Sequence, residues 1–303
     1  MSAIVERIEL LKKQKHATVL AHTYQPGAVQ DVADYVGDSY GLSVQAVEVD
    51  AQIIVFAGVM FMAETAAILN PSKTVIIPQP DAGCPMADMI TPEELQELKA
   101  QHPGSVVMCY VNSTAEIKAL SDICCTSSNA LKIARQIPLD KTILFVPDRH
   151  LGSWVQEQTG HTMVLWDGCC PTHVGIRAPM LVKARTLYPN APILIHPEAP
   201  KESRDLADEV LSTGGMCEFV ARDSHSEYVI ATETGIIHTL KRQNPEKQFH
   251  ALSDHAVCPN MKKGTVEGVL AALEGRGGQV VQVPEPVASQ ARRSLERMLE
   301  MSR

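Results

Sequence analysis

Aromatic residues are scarce. Five Phe, six Tyr and two Trp amount to 4% of 303 residues, so the core must rest on Ala, Val, Ile, Leu and Met. Basic charge is also short: 27 Lys and Arg stand against 35 Asp and Glu, a net charge of −8. A broad nucleic-acid footprint needs a basic face, and this balance argues against one. Long apolar runs are missing too. The longest, Ile53 to Ala63, is interrupted only by Gly58 and is too short to span a bilayer. The opening stretch MSAIVERIELLKKQKHA alternates charged with apolar residues and has no signal-peptide core. These absences lead us to expect a cytoplasmic protein with no membrane partner. No Cys-x-x-Cys occurs, so neither a zinc ribbon nor a thioredoxin-type pair is suggested. No Gly-x-Gly-x-x-Gly follows a strand, and no low-complexity linker divides the chain.

What is present is a soluble-protein balance, 45% hydrophobic and 20% charged, in a chain long enough for about two or three domains. Residues 2–15 read as an amphipathic helix with Ile4, Ile8 and Leu11 on one face. Short apolar runs read as buried strands: 18–21, 53–57, 74–77, 106–109, 142–146, 163–166, 193–195 and 248–252. Helical stretches separate most of them, and capping-box spacing at Ser113–Glu116 and Ser224–Glu227 marks two helix starts. Continuous apolar strands alternating with helices imply parallel sheets covered on both faces.

Eight cysteines remain to be explained. In a long chain without a secretion signal they are buried thiols, metal ligands or nucleophiles rather than a disulfide framework. Three of them open a Cys-Pro pair, at Cys84, Cys170 and Cys258, spaced 86 and 88 residues apart. The same period recurs elsewhere. Three strands end in polar dyads: His22 with Tyr24, Tyr110 with Asn112, and His196 with Glu198; their first members lie 88 and 86 apart. Ser39, Ser127 and Thr213, each in a Gly- or Ser-containing turn, repeat at 88 and 86. Three independent motifs on one period imply repeated structural units. The reading is α/β: three similar parallel-sheet units around a pseudo-threefold axis. Their bounds are 1–85 with 260–303, then 86–171, then 172–259.

Open parallel sheets bind ligands beyond the carboxyl ends of their strands, where all three dyads fall. Residues two apart on extended chain share a face, so six side chains can converge on one cavity. Ser39, Ser127 and Thr213 at helix starts can hold anions or serve as N-caps, and both roles can coexist. The period also gathers Cys84, Cys170 and Cys258. Three thiolates without a fourth leave an open metal position, which suits catalysis. Spacing does not separate zinc from an iron–sulfur cluster. A zinc-dependent lyase or hydrolase, and a non-enzymatic metabolite-binding module, therefore stay open. Cys109, Cys124, Cys125, Cys169 and Cys217 read as buried thiols off the period, with the Pro register selecting Cys170 over Cys169. His173, His238 and His255 have no repeat partner and receive no catalytic role. Residues 147–150 read as a surface turn.

The chain resembles the quinolinate synthase family of NAD biosynthesis. The resemblance is carried by Leu20–Gln25, Gly37–Ser39, Phe56–Gly58, Met62–Thr65, Cys84–Asp88, Tyr110–Glu116, Thr126–Ala130, His196–Glu198, Ser212–Gly214, Ala231–Gly235 and Cys258–Lys262. These run in family order from about residue 18 to about residue 262, and the final helix is also family-like. The resemblance implies a [4Fe–4S] cluster on Cys84, Cys170 and Cys258. It implies condensation of iminoaspartate with dihydroxyacetone phosphate, losing phosphate and water, with iminoaspartate supplied by an aspartate-oxidising enzyme. The family's functional positions fall on His22, Tyr24, Ser39, Tyr110, Asn112, Ser127, His196, Glu198, Ser212 and Thr213. Of these, Tyr24, His196 and Glu198 are expected to be catalytic and the others to bind substrate. A departure is Cys169, a second cysteine directly before the expected ligand.

Overall fold

Among the described residues thirteen strands form three sheets, and every pairing of neighbouring strands but one is parallel. The computed structural model describes residues 3–303. The first unit runs α1 (Ala3–Lys15), β1 (Ala17–His22), α2 (Gly27–Val32), β2 (Tyr35–Gly37), α3 (Ser39–Glu48), β3 (Ile53–Ala57), α4 (Met60–Leu69), β4 (Thr74–Ile77). The second repeats that order: α5 (Pro92–Gln101), β5 (Val106–Tyr110), α6 (Ala115–Leu120), β6 (Ile123–Cys125), α7 (Ala130–Ala134), β7 (Ile143–Val146), α8 (Arg149–Thr159), β8 (Met163–Leu165). So does the third: α9 (Ala178–Leu187), β9 (Ile193–Ile195), α10 (Lys201–Arg204), β10 (Glu209–Val210), α11 (Thr213–Arg222), β11 (Glu227–Ala231), α12 (Ile236–Gln243), β12 (Gln248–Ala251). The chain ends with α13 (Val266–Glu274), β13 (Gln279–Val280) and α14 (Val287–Met301).

Strand order is the same in each sheet: β2-β1-β3-β4, β6-β5-β7-β8 and β10-β9-β11-β12. The central strands are buried almost throughout, as expected of strands covered on both faces. The late strand β13 adds antiparallel to β4, with Gln279 opposite Ile77. Helix α14 links units: Ser294 Oγ donates to the Lys118 carbonyl at 2.8 Å, and Arg292 Nε to the Ile68 carbonyl at 2.7 Å.

Two further sets of residues share the period. Asp34, Asp122 and Asp208 each accept the backbone N–H near the start of the unit's first strand, from Val19, Val107 and Ile193, at 2.7–2.8 Å. Lys73, His161 and Lys247 each hold a carbonyl at or just past the end of α3, α7 and α11, namely Ala46, Ile137 and Val220. Groups that can carry positive charge suit helix C-termini. They also leave the opposite ends of these helices, their N-termini, facing the centre of the molecule.

Several readings from sequence need correction. Glu227 opens β11, not a helix. The run Glu227-Tyr-Val-Ile-Ala231 is β-branched and buried, and Glu227 pairs with His250 on β12 at 2.6 Å. The spacing of Ser224 and Glu227 was a local match without helical periodicity behind it. Near Ser113, α6 does form, but its N-cap is Thr114, while Ser113 Oγ donates to the Tyr110 carbonyl at 2.8 Å. Among the described residues a capping box forms at Thr91 with Glu94. Of the helix expected at 2–15, Ser2 lies outside the described residues.

Candidate active site

The first strand of each unit ends at a shared cavity of about 140 Å³. His22, Tyr24, Tyr110, Asn112, His196 and Glu198 all line it. The two histidines are held alike. The backbone N–H of Tyr24 donates to His22 Nδ1 at 3.1 Å, and that of Glu198 to His196 Nδ1 at 3.3 Å. An Nδ1 that accepts leaves the ring proton on Nε2. Burial lowers the pKa of both rings to about 3, with Lys262 reinforcing this at His22 and His173 at His196. Both are neutral donors at ordinary pH.

Glu198 is the hub. Tyr110 OH donates to its Oε1 at 2.5 Å, and His173 Nδ1 lies 2.7 Å from its Oε2. Burial alone would raise this carboxyl, but the imidazoles of His173 and His196, with hydrogen bonds from His173 and Tyr110, hold it below the usual carboxylate range. The two phenols go the other way. Burial raises Tyr24 and Tyr110 well above 10, so both remain protonated.

His173, given no role from sequence, sits in the middle of the site and is 3% exposed. It stacks on His196 at 4.6 Å between ring centres, and its Nδ1 is 3.2 Å from Cys170 Sγ. Its Nε2 is 2.7 Å from Thr232 Oγ1, which is 2.7 Å from Tyr24 OH, itself 2.7 Å from Thr213 Oγ1. A carboxylate has no hydrogen to give, so His173 donates from Nδ1 and, when neutral, accepts at Nε2. An unbroken line of hydrogen bonds therefore joins Tyr110, Glu198, His173, Thr232, Tyr24 and Thr213. The signal for His173 was its place three residues after Cys170. Its counterparts Ala87 and Met261 carry no chemistry, so a search by repeated residue type passes over it.

Ser39, Ser127 and Thr213 also line the cavity. In α3 and α11 the side-chain cap is made by the preceding residue, and α7 has none. Asp38 caps α3 through Gly41 N–H, and Ser212 caps α11 through Gly215 N–H. In the second unit Asn129 accepts from Thr126 N–H at 2.6 Å. This leaves Ser39 and Ser127 facing the cavity, whereas Ser212 is not among its lining residues. Ser128 Oγ donates to Asp38 and lies 2.9 Å from Ser212 Oγ, joining three units at the rim. Asn112 Oδ1 is buried without a hydrogen-bond partner, an acceptor turned toward the cavity that a ligand can satisfy.

Cys84, Cys170 and Cys258 line the cavity together. Each opens a Cys-Pro turn followed by a 3-10 turn, at Pro85–Asp88, His173–Gly175 and Met261–Lys263. Burial pushes the Cys84 thiol up to about 12, Cys170 well above its usual value, and Cys258 upward. Three partly buried thiols lining one cavity need a positive centre to exist as thiolates. Among the described residues the trio whose ligand atoms gather within 4.8 Å, as around a single ion, is Cys170, His173 and Glu198; the three cysteines stand wider apart and so suit a cluster with three protein ligands rather than one metal ion. Among the described residues no fourth cysteine lines the cavity: Cys109, Cys124 and Cys125 are fully buried in the second sheet, and Cys169 and Cys217 lie elsewhere.

The stretch 147–150 is not a surface turn. Asp148 is 0% exposed and caps α8 through Leu151 N–H at 2.7 Å. Glu233, also 0% exposed, lines the cavity and pairs with Lys262 at 2.8 Å. His238, by contrast, pairs with Asp31 at the surface.

Comparison with known proteins adds an independent line. The family model described as quinolinate synthetase A protein matches residues 6–300. A quinolinate synthase of Dehalococcoides mccartyi (strain CBDB1) is 51% identical over 298 residues, 98% of each chain. One from Geotalea uraniireducens is 47% identical over 99% of this chain and 98% of its own. One from Synechocystis is 46% identical over 99% and 95%.

Proposed function

Because the chain belongs to the quinolinate synthase family and is an enzyme of NAD biosynthesis, we propose that the central cavity is where iminoaspartate condenses with dihydroxyacetone phosphate, losing phosphate and water to give quinolinate. The observation that carries this reading is convergence. Three strand-end dyads, three hydroxyls at helix starts and three cysteines, one of each from every unit, line one cavity. Cys84, Cys170 and Cys258 would hold a [4Fe–4S] cluster, which when bound supplies an iron open to a substrate oxygen as a Lewis acid.

The chain's own residues divide the remaining work. Ser39, Ser127 and Thr213, with the neutral Nε2–H of His22, bind the carboxylates and phosphate; helix N-termini favour anions there despite the acidic chain. Ser212 supports this end indirectly, by capping α11. Asn112 and Tyr110 position the triose chain. The condensation moves protons at carbon and at departing oxygens, and Glu198, ionised and fixed by two hydrogen bonds, is the base. His173 and His196 set its charge and orientation. Tyr24 and Tyr110 stay protonated and act as donors, and the line from Glu198 to Tyr24 lets a proton be returned without bulk water.

No helix among the described residues is long and apolar enough to cross a membrane. The reading places the reaction in the cytoplasm, with iminoaspartate made by an aspartate-oxidising enzyme. The test is anaerobic quinolinate formation from the two substrates, with iron, zinc and acid-labile sulfide measured on the same protein. We expect activity to follow iron and sulfide. Full activity in air with bound zinc would replace the cluster by a zinc centre on the same thiolates.

A further inference from the structure

Two buried carboxylates stand behind the cysteines, and neither belongs to the reacting groups described above. The second residue after the third strand of each unit is Val59, Asp148 or Glu233. Asp148 accepts the backbone N–H of Cys170 with Oδ2 at 3.2 Å and that of Leu151 with Oδ1 at 2.7 Å. Glu233 accepts the backbone N–H of Cys258 with Oε1 at 3.1 Å and that of Gly235 with Oε2 at 2.7 Å. In both units one carboxylate thus ties the amide of a cysteine to the amide that follows the strand end. The close approach explains Gly235, where a Cβ would stand 2.8 Å from Glu233 Oε2 and 2.7 Å from Lys262 Nζ.

We infer that Asp148 and Glu233 are positioning residues that fix the Cys170 and Cys258 turns for the cluster, and that the Cys84 turn, with Val59 in the corresponding place, is held without one. This rests on the cluster reading given above. A carboxylate is the side chain required, because each site presents two N–H donors and needs an oxygen for each. An amide has one oxygen, so Asn or Gln of the same shape would set its own NH₂ against a backbone N–H. A buried donor left unpaired is costly, so the turn would shift to find another partner. Partners behind a metal ligand typically govern its affinity by about 10–100-fold. Glu233 adds a tie between units, since Lys262, its ion-pair partner, also donates to the Tyr24 carbonyl.

The test uses anaerobically prepared holoenzyme and a ferrous chelator. Iron release and decay of the visible absorption are followed for wild type, Asp148→Asn, Glu233→Gln and a control, Asp122→Asn. Asp122 holds the Val107 N–H at the far end of its sheet, so its loss weakens the fold without touching a cysteine turn. Unfolding of the cluster-free proteins is measured alongside. Asp148→Asn and Glu233→Gln should lose iron about tenfold faster than wild type or more, while Asp122→Asn should not. Iron retained as long as in wild type overturns the inference. So does faster iron loss that Asp122→Asn shows equally at the same loss of stability. Wild type that binds no iron or sulfide would instead defeat the cluster reading itself.

Discussion

Glu198 owes its charge state to three neighbours: Tyr110 at the end of β5, His173 in the turn after Cys170, and His196 just past β9. Glu198→Gln keeps the shape and should leave the cluster in place, but it removes the proposed base. Turnover should fall by about 10²–10⁴-fold, the usual range for a general base, in the anaerobic quinolinate assay. Tyr24→Phe keeps the ring and breaks the line at one hydroxyl, so a large loss of turnover with unchanged iron content is expected. The histidines predict a pH effect. His22 and His196 titrate near 3 in the folded chain and near 6.5 when unfolded. Between those values the unfolded chain binds more protons, so stability falls as pH falls through this window. The slope is about 1.4 kcal/mol per pH unit for each ring. Glu198, held low, adds to the loss only below its unfolded value of 4.5. Urea unfolding of the cluster-free protein at about pH 6 and about pH 5 measures this slope, and a flat profile would contradict neutral burial. At this scale the dyads were readable because their types recur. His173, Asp148 and Glu233 were not, because their counterparts Ala87, Met261 and Val59 differ in chemistry though not in place.

Among the elements, the first, third and fourth strands of the units showed themselves as apolar runs, with β11 the exception. The second strands did not. β2, β6 and β10 are two or three residues long, too short for any periodicity, and only pairing with β1, β5 and β9 defines them. Their aspartates were a signal nonetheless: Asp34, Asp122 and Asp208 carry the same 88 and 86 spacing as the dyads. The lysines beyond α3 and α11 are similar. Lys73 Nζ reaches the carbonyls of Ala46 and Val49 at 2.8 and 2.9 Å. Lys73→Met keeps the stem and removes the charge, so it should cost about 1 kcal/mol of stability by urea unfolding. Quinolinate formation at saturating substrate should be nearly unchanged, since the helix's other end still faces the cavity.

For the molecule as a whole, no unit owns the site. Each supplies one cysteine, one dyad and one hydroxyl, and the site itself carries links between units beside those made by α14: Tyr24 to Thr213 and Thr232, Tyr110 to Glu198, and Ser128 to Asp38 and Ser212. The account therefore stands or falls on the three cysteines acting together. The most direct measurement is iron and acid-labile sulfide per chain, after anaerobic preparation, in Cys84→Ser, Cys170→Ser and Cys258→Ser. Cys109→Ser, Cys169→Ser and Cys217→Ser serve as comparisons. The account predicts that each of the first three loses the cluster and the activity while the second three keep both. A cluster that survives Cys170→Ser and is lost in Cys169→Ser, or one that survives all of the first three, would contradict it.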